Sequence, residues 1–112
     1  MAEASIPVEQ QMERILSKSV RDPKSMGNST KVFDMPNGQG FKEIMKEFSS
    51  TKLSDVSKKP SRFELYGGVD HKTGIRMIAR DGSRSGPPTL EFHVPKASNP
   101  KDCNIFKVRY GK

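Results

Sequence analysis

Two histidines, a glutamate and several arginines are the residues of this chain best suited to proton transfer and anion binding, and most of them fall on alternating positions. In Thr89-Leu90-Glu91-Phe92-His93-Val94 every second residue is apolar, so a strand here sets Thr89, Glu91 and His93 on one side. Gly74 to Arg80 sets Arg76 and Arg80 opposite Ile75, Met77 and Ala79, and Phe106 to Tyr110 sets Lys107 and Arg109 opposite Phe106, Val108 and Tyr110. If these three strands pair, one side of the sheet is a core and the other collects cations around a His and a Glu. An ordinary solvated sheet face more often mixes Lys, Glu, Thr and Ser. An imidazole exchanges protons near neutrality, and guanidinium forks grip phosphate oxygens in pairs. Attack of a 2′-hydroxyl on the neighbouring phosphorus needs those parts: a base, an acid for the leaving oxygen, and cations for the charged transition state. His93 and His71 are the candidates for proton transfer, with Glu91 either an alternative base or an orienter of His93. Arg76 and Arg80, with Lys107 or Arg109, would hold phosphate, and Thr89 would donate a hydrogen bond.

The connections carry further candidates. Asp70-His71-Lys72-Thr73-Gly74 has turn chemistry, so His71 is either an ordinary hairpin residue or a loop-borne acid or base beside the Arg76 strand. His93 can likewise be read as a solvated side chain. In the link from Arg80 to Thr89, permissive small residues allow close approach to a phosphate, Ser83 and Ser85 offer hydroxyls, and Arg84 offers a fork. The link lacks the Gly-Lys-Ser/Thr ending of a nucleotide-binding loop, and a flexible basic hairpin has the same composition.

The elements that must position these residues are legible in outline. Val8, Met12, Ile15 and Leu16 predict a helix over Ile6–Leu16, and Phe41, Ile44, Met45 and Phe48 predict a second over Gly40–Phe48. Arg21–Thr30 reads as a loop, Lys31–Pro36 as a short extended segment, Ser49–Ser61 as a polar connector, and Arg62–Tyr66 as the start of the strand region, with Gly67-Gly68 marking a turn or bulge. A sheet with one apolar face needs a cover, which the second helix supplies. The expectation is an α+β fold with N-terminal helices packed on a small twisted antiparallel β-sheet. It forms one domain over 1–112, mainly helical and loop over 1–56 and a basic sheet over 57–112.

Composition narrows the function. The 112 residues are 32% hydrophobic, with no apolar run of membrane-spanning length and no secretory leader pattern, so the expectation is a soluble protein or a piece of a larger one without membrane insertion. Cys103 stands alone, excluding an internal disulfide and a cysteine-based zinc site, and reads as a small semi-buried thiol. No dense carboxylate cluster suggests a two-metal site, so neither metal nor cofactor is expected. The net charge of +7 is unevenly placed: residues 1–56 hold 8 cationic and 8 anionic side chains, residues 57–112 hold 12 and 5. A surplus confined to the sheet region suits a polyanionic partner, and because the cations lie on strands rather than an amphipathic helix, nucleic acid is favoured over a membrane surface. A non-catalytic RNA- or ribosome-binding module is the competing reading, and it would carry exposed aromatic rings for base stacking, of which the polar face offers only Tyr66.

Val-Phe-Asp-Met-Pro at Val32–Pro36, a helix through Phe41–Phe48, Gly-Ile-Arg-Met-Ile-Ala-Arg at Gly74–Arg80, a Ser- and Gly-containing link, Pro-Thr-Leu-Glu-Phe at Pro88–Phe92 and the basic Phe106–Tyr110 form a pattern. In that order they resemble the C-terminal toxin domains of bacterial polymorphic toxins, the tips of contact-dependent inhibition, Rhs-type and bacteriocin proteins. The pattern is similar to the metal-independent ribonuclease superfamily of barnase-, colicin- and RelE-like folds. The resemblance spans residues 32–110 and rests on pattern rather than on an invariant string. It implies an endoribonuclease acting on RNA, with tRNA as the substrate class, and a site on the sheet around Arg76, Arg80, Ser85 and Thr89. It also implies a cognate immunity protein, expected to be acidic, and delivery within a larger secreted protein into the cytoplasm of a target bacterium.

Overall fold

The computed structural model describes residues 6–25, 29–59, 64–82 and 86–111. Arg62, at the expected start of the strand region, and Ser83, Arg84 and Ser85, expected to bind phosphate, lie outside the described residues. Helix α1 (Val8–Lys18) forms where the sequence repeats apolar residues at helical spacing, and it buries Val8, Gln11 and Ile15 on one face. Helix α2 (Phe41–Ser49) buries Ile44 and Phe48. It starts after Gly40, whose φ of 74° is a left-handed conformation open to glycine at little cost and lets the Gly40 amide donate to the Tyr110 carbonyl at 3.1 Å.

The strands are β1 (Ile6–Pro7), β2 (Val20–Arg21), β3 (Thr30–Asp34), β4 (Thr51–Lys52), β5 (Ser54–Lys59), β6 (Leu65–Val69), β7 (Arg76–Arg80), β8 (Thr89–Pro95) and β9 (Cys103–Arg109). Strands β1 and β4 form a parallel pair, while the others make a seven-stranded sheet in the order β2-β3-β9-β8-β7-β6-β5. All its neighbours are antiparallel except β3 and β9. The architecture is α+β as expected, with two corrections. The sheet is larger and mixed, because Lys31–Pro36 supplies a full strand that aligns parallel to the last one. The helices alternate with strands rather than preceding the sheet. Ser49–Ser61, too polar to announce itself, contains β4 and the exposed edge strand β5, and Gly67-Gly68 continues strand β6 instead of turning the chain.

Alternation sorts the sheet into two faces. Met77, Ala79, Leu90, Phe92 and Val108 are each fully buried, and they join Val8, Ile15, Ile44 and Phe48 of both helices in a single apolar cluster. Full burial of a side chain the size of Leu90 or Phe92 contributes roughly 1.5–3 kcal/mol. Tyr66, placed on the polar side by its sequence position, instead stacks between the helix and the sheet, its ring centroid 6.3 Å from Phe41 and 6.4 Å from Phe48. The helices are held together by Gln11, buried, whose amide donates to Glu47 O at 2.9 Å and Thr51 Oγ1 at 3.1 Å, and by the Arg14–Glu47 ion pair. Among the described residues no helix is long and apolar enough to cross a membrane.

Candidate active site on the open sheet face

Both α-helices pack into the apolar cluster on one face of the sheet, and the other face carries the polar side chains of the strands. Cross-strand register arranges its side chains in rows: Val69, Arg76, His93 and Ile105 in one, Gly67, Ile78, Glu91 and Lys107 in the next, and Leu65, Arg80, Thr89 and Arg109 in the third. The sequence-predicted residues of three separate strands therefore meet, with Glu91 at the centre.

Glu91 is 3% exposed, an unusual place for a carboxylate. Arg80 Nε donates to its Oε2 at 2.7 Å, and His93 Nε2 lies 3.0 Å from its Oε1. Burial pushes the Glu91 carboxyl up, but the His93 hydrogen bond, the charge and hydrogen bond of Arg80 and the charge of Lys107 outweigh it, and the net shift is downward from the ordinary value. An ionised carboxylate only accepts hydrogen bonds, so the hydrogen of the neutral imidazole sits on Nε2. That leaves the Nδ1 lone pair to take a proton. The Glu91–His93 hydrogen bond has the geometry that an orienting role for Glu91 requires.

The remaining candidates separate by their partners. Arg76, opposite His93, is exposed, and its side chain makes no hydrogen bond or ion pair among the described residues. Arg109 is committed elsewhere: it donates to both carboxylate oxygens of Asp34 at 2.7 and 2.8 Å and to Asp22 at 3.1 Å. Its pKa is raised, first by the Asp34 hydrogen bond. Thr89 Oγ1 donates to the Pro87 carbonyl at 3.0 Å, so its hydroxyl hydrogen is already placed. Lys107 pairs in register with Glu91 and keeps its ammonium as a nearby positive charge.

His71 occupies the β6–β7 turn, and its Nε2 lies 2.8 Å from Asp55 Oδ2. Asp55 has no counterpart in the sequence reading. It sits where β5 gains one residue against β6 between Ser54 and Ser57, at a φ of 52°. Bulges of this kind re-aim side chains and recur beside active sites. The only sequence hint was a short polar run, Ser54–Lys59, that resembles a linker. His71, Asp55 and Arg76 share the wall of a cavity of about 380 Å³ that also includes Ser57, Lys59, Gly67 and Ile78.

Arg76, unpartnered among the described residues, thus pairs in register with one carboxylate-bound imidazole, His93, and shares a cavity wall with the other, His71. No family model matches this chain, and no curated protein or solved structure does. Among the described residues, no group of three or more His, Cys, Asp or Glu is placed to share a metal ion. The strands put no Phe or Tyr on this face among the described residues, so it offers no aromatic platform for stacked bases.

Proposed function

We propose that this chain is a metal-independent endoribonuclease of the toxin kind, cleaving RNA, with tRNA as the substrate class, by attack of a 2′-hydroxyl on the adjacent phosphorus. The observation that carries this reading is the buried Glu91 carboxylate bound at once to His93 and Arg80, with Arg76, unpartnered among the described residues, in register beside His93. One imidazole accepts the 2′-hydroxyl proton as the oxygen attacks phosphorus. The bond to the 5′-oxygen breaks, and the other imidazole returns a proton to that leaving oxygen. The products are a 2′,3′-cyclic phosphate and a 5′-hydroxyl. Arg76 and Arg80, with Lys107, supply positive charge where the phosphorane oxygens gain negative charge. The carboxylates hold each ring in one tautomer, as orienting groups do in other acid–base sites.

The biological setting follows the toxin resemblance: release into the cytoplasm of a target bacterium from a larger secreted protein, and neutralisation in the producer by an acidic immunity protein. The basic excess of residues 57–112 supports such a partner, since opposite charge steers association. A purely binding module is less well supported, because the strands put no stacking ring on the open face among the described residues and a merely cationic grip needs no carboxylate-bound imidazoles.

The test is incubation of the protein with total RNA and with purified tRNA in the presence of EDTA. Discrete fragments ending in 2′,3′-cyclic phosphate are expected. Intact RNA bound by the protein would instead establish the binding module, and cleavage abolished by EDTA would remove the metal-independent mechanism.

A further inference from the structure

Gly67 and Gly68 are adjacent in one strand and are glycine for different reasons. Neither has a positive φ, so backbone conformation does not demand glycine at either position. A Cβ on Gly68 would come within 3.0 Å of Leu53 Cβ and 3.1 Å of Val56 Cγ2, so it would crowd those two side chains and force them to shift. A Cβ on Gly67 would meet nothing nearer than Lys59 Cε at 3.8 Å. Glycine inside a strand weakens it and marks a bulge or a place of close approach by a ligand; Gly67 pairs with Ser57 at the edge of the β5 bulge, and the space beside it is open to a ligand. Gly67 faces the same side as its register partners Ser57 and Ile78, and all three line the 380 Å³ cavity.

We propose that this cavity is a base-recognition subsite, seating one unstacked RNA base on the floor made by Gly67 and Ile78. The proposal rests on the endoribonuclease reading and names the part of the substrate that the catalytic face does not address. The cavity has the size of small-ligand pockets, roughly 300–1,000 Å³, and sets Gly67 and Ile78 among the polar side chains of Asp55, Ser57, Lys59, His71 and Arg76. Arg76 stands at the junction, lining the cavity and pairing in register with His93, so it holds the phosphate between the seated nucleotide and the scissile one. Lys59, on the opposite strand, supplies a second cation at the rim. Asp55 uses Oδ2 toward His71, which leaves Oδ1 to accept an N–H from the base edge. An acceptor in that place takes an N–H from the exocyclic amino group of adenine, cytosine or guanine or from the ring nitrogen N3 of uracil, so it ranks the bases by which donor reaches it.

The experiment uses short synthetic RNAs differing at one nucleotide beside the cleaved bond, and the same oligonucleotides with 2′-deoxyribose at the cleavage position, which bind without reacting. Wild type is compared with Gly67→Val and Asp55→Asn. Valine suits a strand, so Gly67→Val is expected to keep or raise the thermal midpoint while weakening oligonucleotide binding at least about tenfold. Asn tolerates the left-handed backbone at position 55, so Asp55→Asn folds even if the valine variant does not. It is expected to flatten the ratio of kcat/KM values among the four bases, a readout that lost orientation of His71 would leave unchanged. A folded Gly67→Val that binds as wild type, or an Asp55→Asn with the wild-type base ratio, overturns the subsite. If wild type cuts no RNA but binds the deoxy-substituted oligonucleotides in a Gly67-dependent way, the endoribonuclease reading falls and the subsite stands.

Discussion

Arg80 and Arg109 occupy the same row of the open face, both opposite Thr89, and the sequence treats them alike: each closes an alternating strand on its polar side. Their surroundings divide them. Arg109 lies between two carboxylates from other segments, Asp34 and Asp22, so its charge is neutralised and its fork filled. Arg80 shares a single buried carboxylate with His93, so that cluster holds more positive than negative charge once the histidine gains a proton. The first arrangement ties β9 to β3 and to the chain before it. The second leaves net charge facing solvent, which is what an anionic substrate requires. The residue type does not decide the role; the ratio of cations to carboxylates within reach does.

The largest expected effect is at His93. Replacement by Ala removes a proton-transfer group without touching the core, so cleavage is expected to fall by about 10²–10⁴-fold with a nearly unchanged melting temperature, measured by single-turnover kinetics and calorimetry. Unchanged cleavage by the folded variant would assign the chemistry elsewhere.

Glu91→Gln comes next. It leaves Arg80 and His93 without their anion and is expected to destabilise the fold by about 2–3 kcal/mol in denaturant titrations. The pH dependence has a definite sign. The Glu91 carboxyl titrates below its ordinary value of 4.5 in the folded protein, so its contribution is complete above that value and is lost as pH falls through the lower folded one. Wild type should therefore lose stability on acidification more steeply than the Gln variant below about pH 4.5. Parallel acid limbs would show that Glu91 does not couple to folding.

The smallest effects separate Arg109 from Arg76. Arg109→Ala is expected to cost about 1 kcal/mol of stability and to leave RNA cleavage by the folded protein intact. Arg76→Ala should do the reverse: stability within about 0.5 kcal/mol of wild type, weaker RNA binding, and a salt dependence of binding reduced by roughly one counterion. Equal behaviour of the two variants would erase the distinction drawn between a charge neutralised within the fold and a charge left for a ligand.

The alternation in Thr89–Val94, Gly74–Arg80 and Phe106–Tyr110 by itself determined which side chains enter the core and which share the open face, because the two-residue repeat of a strand is a local property of the backbone. The helical spacing of Phe41, Ile44, Met45 and Phe48 did the same for α2. Tyr66 went to the helix side because β6 runs unbroken through Gly67-Gly68, which two adjacent glycines do not announce. Only the tertiary structure decided the partners. The parallel alignment of β3 with β9 brings Asp34 to Arg109 across 75 positions of chain, and the bulge in β5 carries Asp55 to His71. Register between distant strands depends on how whole faces bury together, so a one-residue shift would reassign every charge pair while leaving the local pattern of each strand unaltered.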